Sequence, residues 1–123
     1  MNSLLTLTAI IEAATGLALM ALPAVVVRLL LGAELAGAGI PLGRVAGIAL
    51  LSLGLACWPG PGPAGHTAPG RAMLTYNVLA TVYFLSLGIA GGSVGPLLWP
   101  AAVLHGILSL LLARQWRLGS AGR

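Results

Sequence analysis

Four long apolar runs, divided by short glycine-, proline- or arginine-bearing stretches, set the pattern of this chain. They run from about Leu4 to Leu22, Ile40 to Trp58, Ala72 to Ala90 and Leu97 to Ala113. At about 1.5 Å rise per residue, helices of about 17 to 19 residues match a hydrocarbon layer of about 30 Å. The pattern predicts an all-α membrane protein: one domain over residues 1–123, built as a bundle of four transmembrane helices. Between the first two runs lies Ala24-Val25-Val26-Val27-Arg28-Leu29-Leu30-Leu31-Gly32, too short to cross again. Pro23 before it cannot donate to a helix ladder. Two readings stay open there. One is a short interfacial helix whose Arg28 snorkels to headgroups; the other is one long tilted helix kinked at Pro23.

The connections differ in kind. Gly32 to Gly39 is a small-residue link carrying Glu34, and Gly91-Gly92-Ser93-Val94-Gly95 is tight enough to make the third and fourth spans antiparallel neighbours. The stretch from Pro59 to Arg71 holds four prolines and four glycines without apolar periodicity, so it reads as an exposed loop. Pro100 falls in the first turn of the fourth span, where proline is tolerated. The tail after Arg114 is polar and is expected to fray beyond Leu118. Trp58, Trp99 and Trp116 all fall at span ends, the depth indole prefers.

Composition narrows the class. Hydrophobic residues make up 59% and charged residues 7%, with mean hydropathy +1.03. A soluble domain carries roughly a quarter charged residues, so lipid must be the solvent for much of this surface. The first run has no Lys or Arg before it and carries Glu12 within it, which predicts a retained helix rather than a cleaved signal peptide. The six basic residues are all arginine and form no cluster, so no nucleic-acid partner is expected. With four spans, the termini and the Pro/Gly loop share a side carrying Arg71, Arg114, Arg117 and Arg123, against Arg28 and Arg44 on the other. The excess of arginine predicts both termini in the cytoplasm of a bacterial inner membrane.

The chemistry-bearing residues are few. Glu12 lies about 13 Å into its span, near the midplane. A charged carboxylate there costs about 2.5 kcal/mol or more, so it must be protonated, paired or facing water. Thr8, Glu12, Thr15 and Gly16 share one stripe of that helix. Arg44, Tyr76, Asn77, Tyr83 and His105 all lie within spans and could join Glu12 in an intramembrane polar site. The competing reading has Arg44 snorkelling, His105 bonding a neighbouring helix and the tyrosines packing. Cys57 is the sole cysteine and His105 the sole histidine in a span, so no metal site and no cofactor are expected. A haem held between two copies of His105 is the least favoured alternative. No nucleophile with its base and orienting group, phosphate loop or paired carboxylates is visible, so enzymatic chemistry is not expected. Gly43, Gly47 and Gly54 on the second span, and Gly88 and Gly92 on the third, read as helix-packing positions. They serve either the bundle itself or a homo-oligomer or larger membrane complex.

Two resemblances follow from these residues. The order Ile10-Ile11-Glu12-Ala13-Ala14-Thr15-Gly16, then Pro23 to Gly32, then Leu42-Gly43-Arg44-Val45-Ala46-Gly47 resembles small DoxX-like bacterial membrane proteins over the first half of the chain. That resemblance implies a four-helix bundle and carries over no functional residue. In size, helix number and a membrane-embedded Glu in helix one, the chain is also similar to small multidrug resistance transporters. Glu12-Ala13-Ala14-Thr15-Gly16 places its glycine one position away from their Glu-x-x-Gly-Thr pattern. The long Pro/Gly loop and the lack of an aromatic cage in the third span depart from that family. The leading expectation is a non-enzymatic accessory or interaction subunit working through its glycine faces. The alternative is a proton-coupled transporter for a small molecule or cation, with Glu12 exchanging proton and substrate.

Overall fold

The computed structural model describes residues 3–58 and 67–121. Expectations for the loop between 59 and 66, His66 among them, and for Arg123 lie outside the described residues. The described chain is helical throughout its regular structure: α1 (Ser3–Ala21), α2 (Pro23–Leu31), α3 (Gly39–Ala56), α4 (Ala68–Ala90) and α5 (Leu98–Ala121). Of these, α1, α3, α4 and α5 are long and apolar enough to cross a membrane. Large aliphatic side chains such as Leu7, Leu42, Val82, Ile89 and Leu110 point outward, as lipid contact demands. The short helix after the first span is present as α2.

Pro23 breaks the first helix rather than kinking it. Leu22 leaves helical geometry, with φ −134° and ψ 58°, and Pro23 opens α2. A proline is tolerated there because the first N–H groups of a helix have no internal acceptor. At its other end α2 stops at Gly32, whose φ of 66° suits glycine. The last carbonyls of α2 are then met by the α4–α5 connection. Leu97 N–H donates to Leu29 O at 2.8 Å, and Gly95 N–H donates to Leu30 O at 3.1 Å. Gly95 has no room for a Cβ against the Leu29 carbonyl. The carbonyls that end α2 thus find their partners in the protein itself. Arg28 pairs with Glu34 at 2.6 Å on the exposed side of this end.

Helix ends outrun the hydropathy edges. α4 begins at Ala68, so Pro69, Gly70 and Arg71 are helical rather than loop. Thr67 caps it by accepting from Gly70 N–H at 3.2 Å, and Pro69 occupies the first turn. α5 continues to Ala121, past the point where fraying was expected. Hydropathy marks where the hydrocarbon stops, whereas caps and local backbone bonds mark where a helix stops.

The helices form two close pairs. α1 crosses α3 where Gly16 meets Gly47: a Cβ at Gly47 would lie 2.6 Å from Gly16 O and 2.8 Å from Met20 N. A second contact places Gly54 against Ala9 and Ala13. α4 pairs with α5, and Gly88 receives the indole of Trp99. Gly43 packs against Pro23 and Leu35, while Gly92 faces nothing within 4 Å and packs no helix. The two pairs meet at one end through Leu5, Ala9, Cys57, Met73 and Leu112. There the Cys57 thiol donates to Pro69 O at 3.4 Å, tying the end of α3 to the start of α4. Toward the other end the pairs part around a cavity, and α2 contributes Val26, Leu29 and Leu30 to its wall.

Candidate functional site

The polar residues of the membrane interior gather in one layer between the packed end and the cavity. The i, i+4 spacing turns Thr8, Glu12 and Gly16 onto the buried face of α1. Thr8 spends its hydroxyl locally, donating to Leu5 O at 2.9 Å. Thr15 does likewise with Ile11 O at 2.8 Å. Glu12 has no such outlet. It is 0% exposed, and neither carboxyl oxygen has a hydrogen-bond partner among the described residues.

Asn77 of α4 and His105 of α5 face it. The Asn77 amide donates to Met73 O at 2.9 Å, one turn back along its own helix. Its other atom, Oδ1, lies 2.8 Å from His105 Nδ1. Because the Met73 carbonyl accepts only, the Asn77 atom bonding it is the nitrogen, and the atom facing His105 is the oxygen. Because that oxygen accepts only, His105 Nδ1 carries the hydrogen and donates. In the neutral ring Nε2 is then an acceptor. His105 Nδ1 also lies 3.9 Å from Glu12 Oε1, beyond hydrogen-bond reach. The Tyr76 phenol is the donor beside this carboxyl and interacts with it both by charge and as a hydrogen-bonding group, although the contact is too poorly formed to satisfy either oxygen. The histidine ring is held edge-on by Tyr76, with centroids 5.7 Å apart at 81°, and by Phe84 at 5.6 Å.

Tyr76 and His105 also line the cavity, whose volume is about 390 Å³ and whose other walls are almost wholly aliphatic and aromatic. It is open on one flank. Glu12 sits behind this floor rather than in it.

Of the six residues singled out from the sequence, Glu12, Tyr76, Asn77 and His105 come together. Arg44 does not: it lies exposed on α3, facing away from the layer. Tyr83 does not either, being 62% exposed. Tyr76 and Tyr83 lie seven residues apart on one helix, yet it is Phe84, not Tyr83, that joins Tyr76 in lining the cavity. Sequence reasoning passed over Phe84 and Thr81. The i, i+4, i+7 run of Asn77, Thr81 and Phe84 was the signal for both, and the Thr81 hydroxyl donates to Asn77 O at 2.7 Å. No metal-binding group of three or more His, Cys, Asp or Glu forms among the described residues.

Comparison of the chain with protein-family models, curated proteins and solved structures returns no match.

Proposed function

We propose that this protein is a proton-coupled carrier of a small, largely apolar molecule, with Glu12 as the proton-binding group. The observation that supports it is a wholly buried carboxyl whose oxygens complete no well-formed hydrogen bond, with only the Tyr76 phenol beside it as a donor, against a histidine that forms the floor of a ligand-sized cavity. A carboxyl that serves packing is normally held by donors, because a buried polar group left unpaired is costly. One with a single poorly aligned donor beside it is free to gain and lose a proton as its surroundings change. The volume falls within the range of about 300–1,000 Å³ usual for small-molecule sites. An accessory subunit built on glycine faces is less favoured, since Gly47, Gly54 and Gly88 are filled by the chain's own helices. The arginine distribution supports both termini lying on the cytoplasmic side.

Infrared difference spectroscopy of the protein in nanodiscs tests the role of Glu12. A protonated-carboxyl stretching band is expected in the wild type and absent in Glu12→Gln. Its intensity should follow the bath pH. A band that ignores bath pH while backbone amides exchange normally means a sealed structural carboxyl, and the carrier reading fails.

A further inference from the structure

The hydrogen-bond pattern of the cavity floor restricts what the cavity can accept. We infer that its ligand is a lipophilic alcohol: an apolar body sized to a cavity of about 390 Å³, ending in a neutral hydroxyl that donates to His105 Nε2. The inference deepens the carrier reading by naming its substrate class, and it rests on that reading for the use of the cavity.

The argument proceeds by the polarity of each group at the floor. His105 Nδ1 is engaged by Asn77, so the ring offers the cavity an acceptor. Tyr76 lines the cavity as well, but its phenol is directed to the Glu12 carboxyl behind the floor. Thr15 also lines the space, but its hydroxyl is spent on Ile11 O. A hydroxyl donates to His105 Nε2 and brings no charge among the apolar walls. A ketone or ester offers acceptors only and leaves Nε2 facing another lone pair. A carboxylate meets no cation, because no arginine or lysine lines the cavity and Arg28, on the neighbouring α2, is paired with Glu34. An ammonium would need the Glu12 carboxyl, which is not part of the cavity wall. Leu30, Leu50, Phe84, Leu97 and Leu104 then cover the ligand's apolar body.

The test is nitrogen NMR of the histidine in nanodiscs, in a His66→Ala background that leaves His105 alone. The unliganded ring should show a protonated Nδ1 and a lone-pair Nε2. Added 1-decanol should shift the Nε2 signal, while decane and methyl decanoate should not. Ala101→Phe, which fills the cavity from a lining position one turn before His105, should lose the response. Asn77→Leu, which frees the ring's tautomer, should weaken the apparent decanol affinity by roughly threefold to tenfold. A response equal for methyl decanoate, a response surviving Ala101→Phe, an unchanged affinity in Asn77→Leu, or no response to saturating decanol each overturns the inference. The two readings fail separately. A pH-responsive Glu12 band without a decanol response removes the alcohol and leaves the carrier. A decanol response beside a pH-invariant Glu12 band does the reverse.

Discussion

At the scale of single residues, the polar layer holds two kinds of group: those satisfied by their own helix and those that depend on another. Thr8, Thr15 and Thr81 return their hydroxyls to carbonyls three or four positions back, so they cost the membrane little and join no other helix. Asn77 is the pivot, because its amide is anchored to Met73 and its oxygen sets the histidine. Asn77→Leu keeps similar bulk and removes both bonds. It should lower unfolding stability by about 1–3 kcal/mol, read from denaturation in mixed micelles. Tyr83→Phe, on the lipid side, should stay within about 0.5 kcal/mol. Equal losses in the two would mean that the Asn77–His105 bond does not hold α4 to α5. The importance of Glu12 was legible in the sequence because of what a carboxylate costs in hydrocarbon, whatever surrounds it. Which of Arg44, Tyr76, Tyr83 and His105 would meet it was not. That choice depends on where two helix pairs part, and no spacing along one chain records it.

At the scale of elements, glycine decides which helices touch. Gly43, Gly47 and Gly54 on α3 and Gly88 and Gly92 on α4 look alike in sequence, yet they separate sharply in the fold. Gly47 lies backbone to backbone with α1, and Gly92 meets open space. Gly47→Ala should therefore cost about 1–3 kcal/mol, since backbone atoms cannot swing aside as a side-chain end can. Gly92→Ala should leave the same melting profile unchanged. Comparable damage at both sites would contradict the α1–α3 crossing. The four spans were readable from hydropathy alone, because about 20 apolar residues have few other uses. The ends of α4 and α5 were not, because Thr67 and the turns beyond Ala113 hold helix outside the hydrocarbon. The break at Pro23 was also undecided in the sequence. What favours a break is the docking of α2 onto Gly95 and Leu97, a contact some 65 residues downstream.

At the scale of the whole molecule, the bundle is asymmetric along its axis. One end is closed by Leu5, Ala9, Cys57, Met73 and Leu112, and the other opens around the cavity beside α2. The polar layer lies where closure gives way to opening, so a proton on Glu12 and a ligand on His105 would sit on opposite sides of one thin wall. Orientation then decides which compartment the cavity faces. Arg71, Arg114 and Arg117 lie at the closed end, whereas at the open end Arg28 is paired with Glu34 and Arg44 sits among lipid-facing residues. Positive residues near span ends remain cytoplasmic because moving them across the membrane is unfavourable. The closed end should therefore face the cytoplasm and the cavity the opposite side. A fluorescent protein fused after Ala121 should fold and glow in the cytoplasm, and alkaline phosphatase fused after Ser93 should be active outside it. Replacing Arg71, Arg114 and Arg117 together by Gln should mix the two orientations, because the arginines opposing them are no longer outnumbered. An active phosphatase at Ala121 in the unaltered chain would invert the bundle. The polar layer would be unchanged, but the cavity would then draw its ligand from the cytoplasmic leaflet.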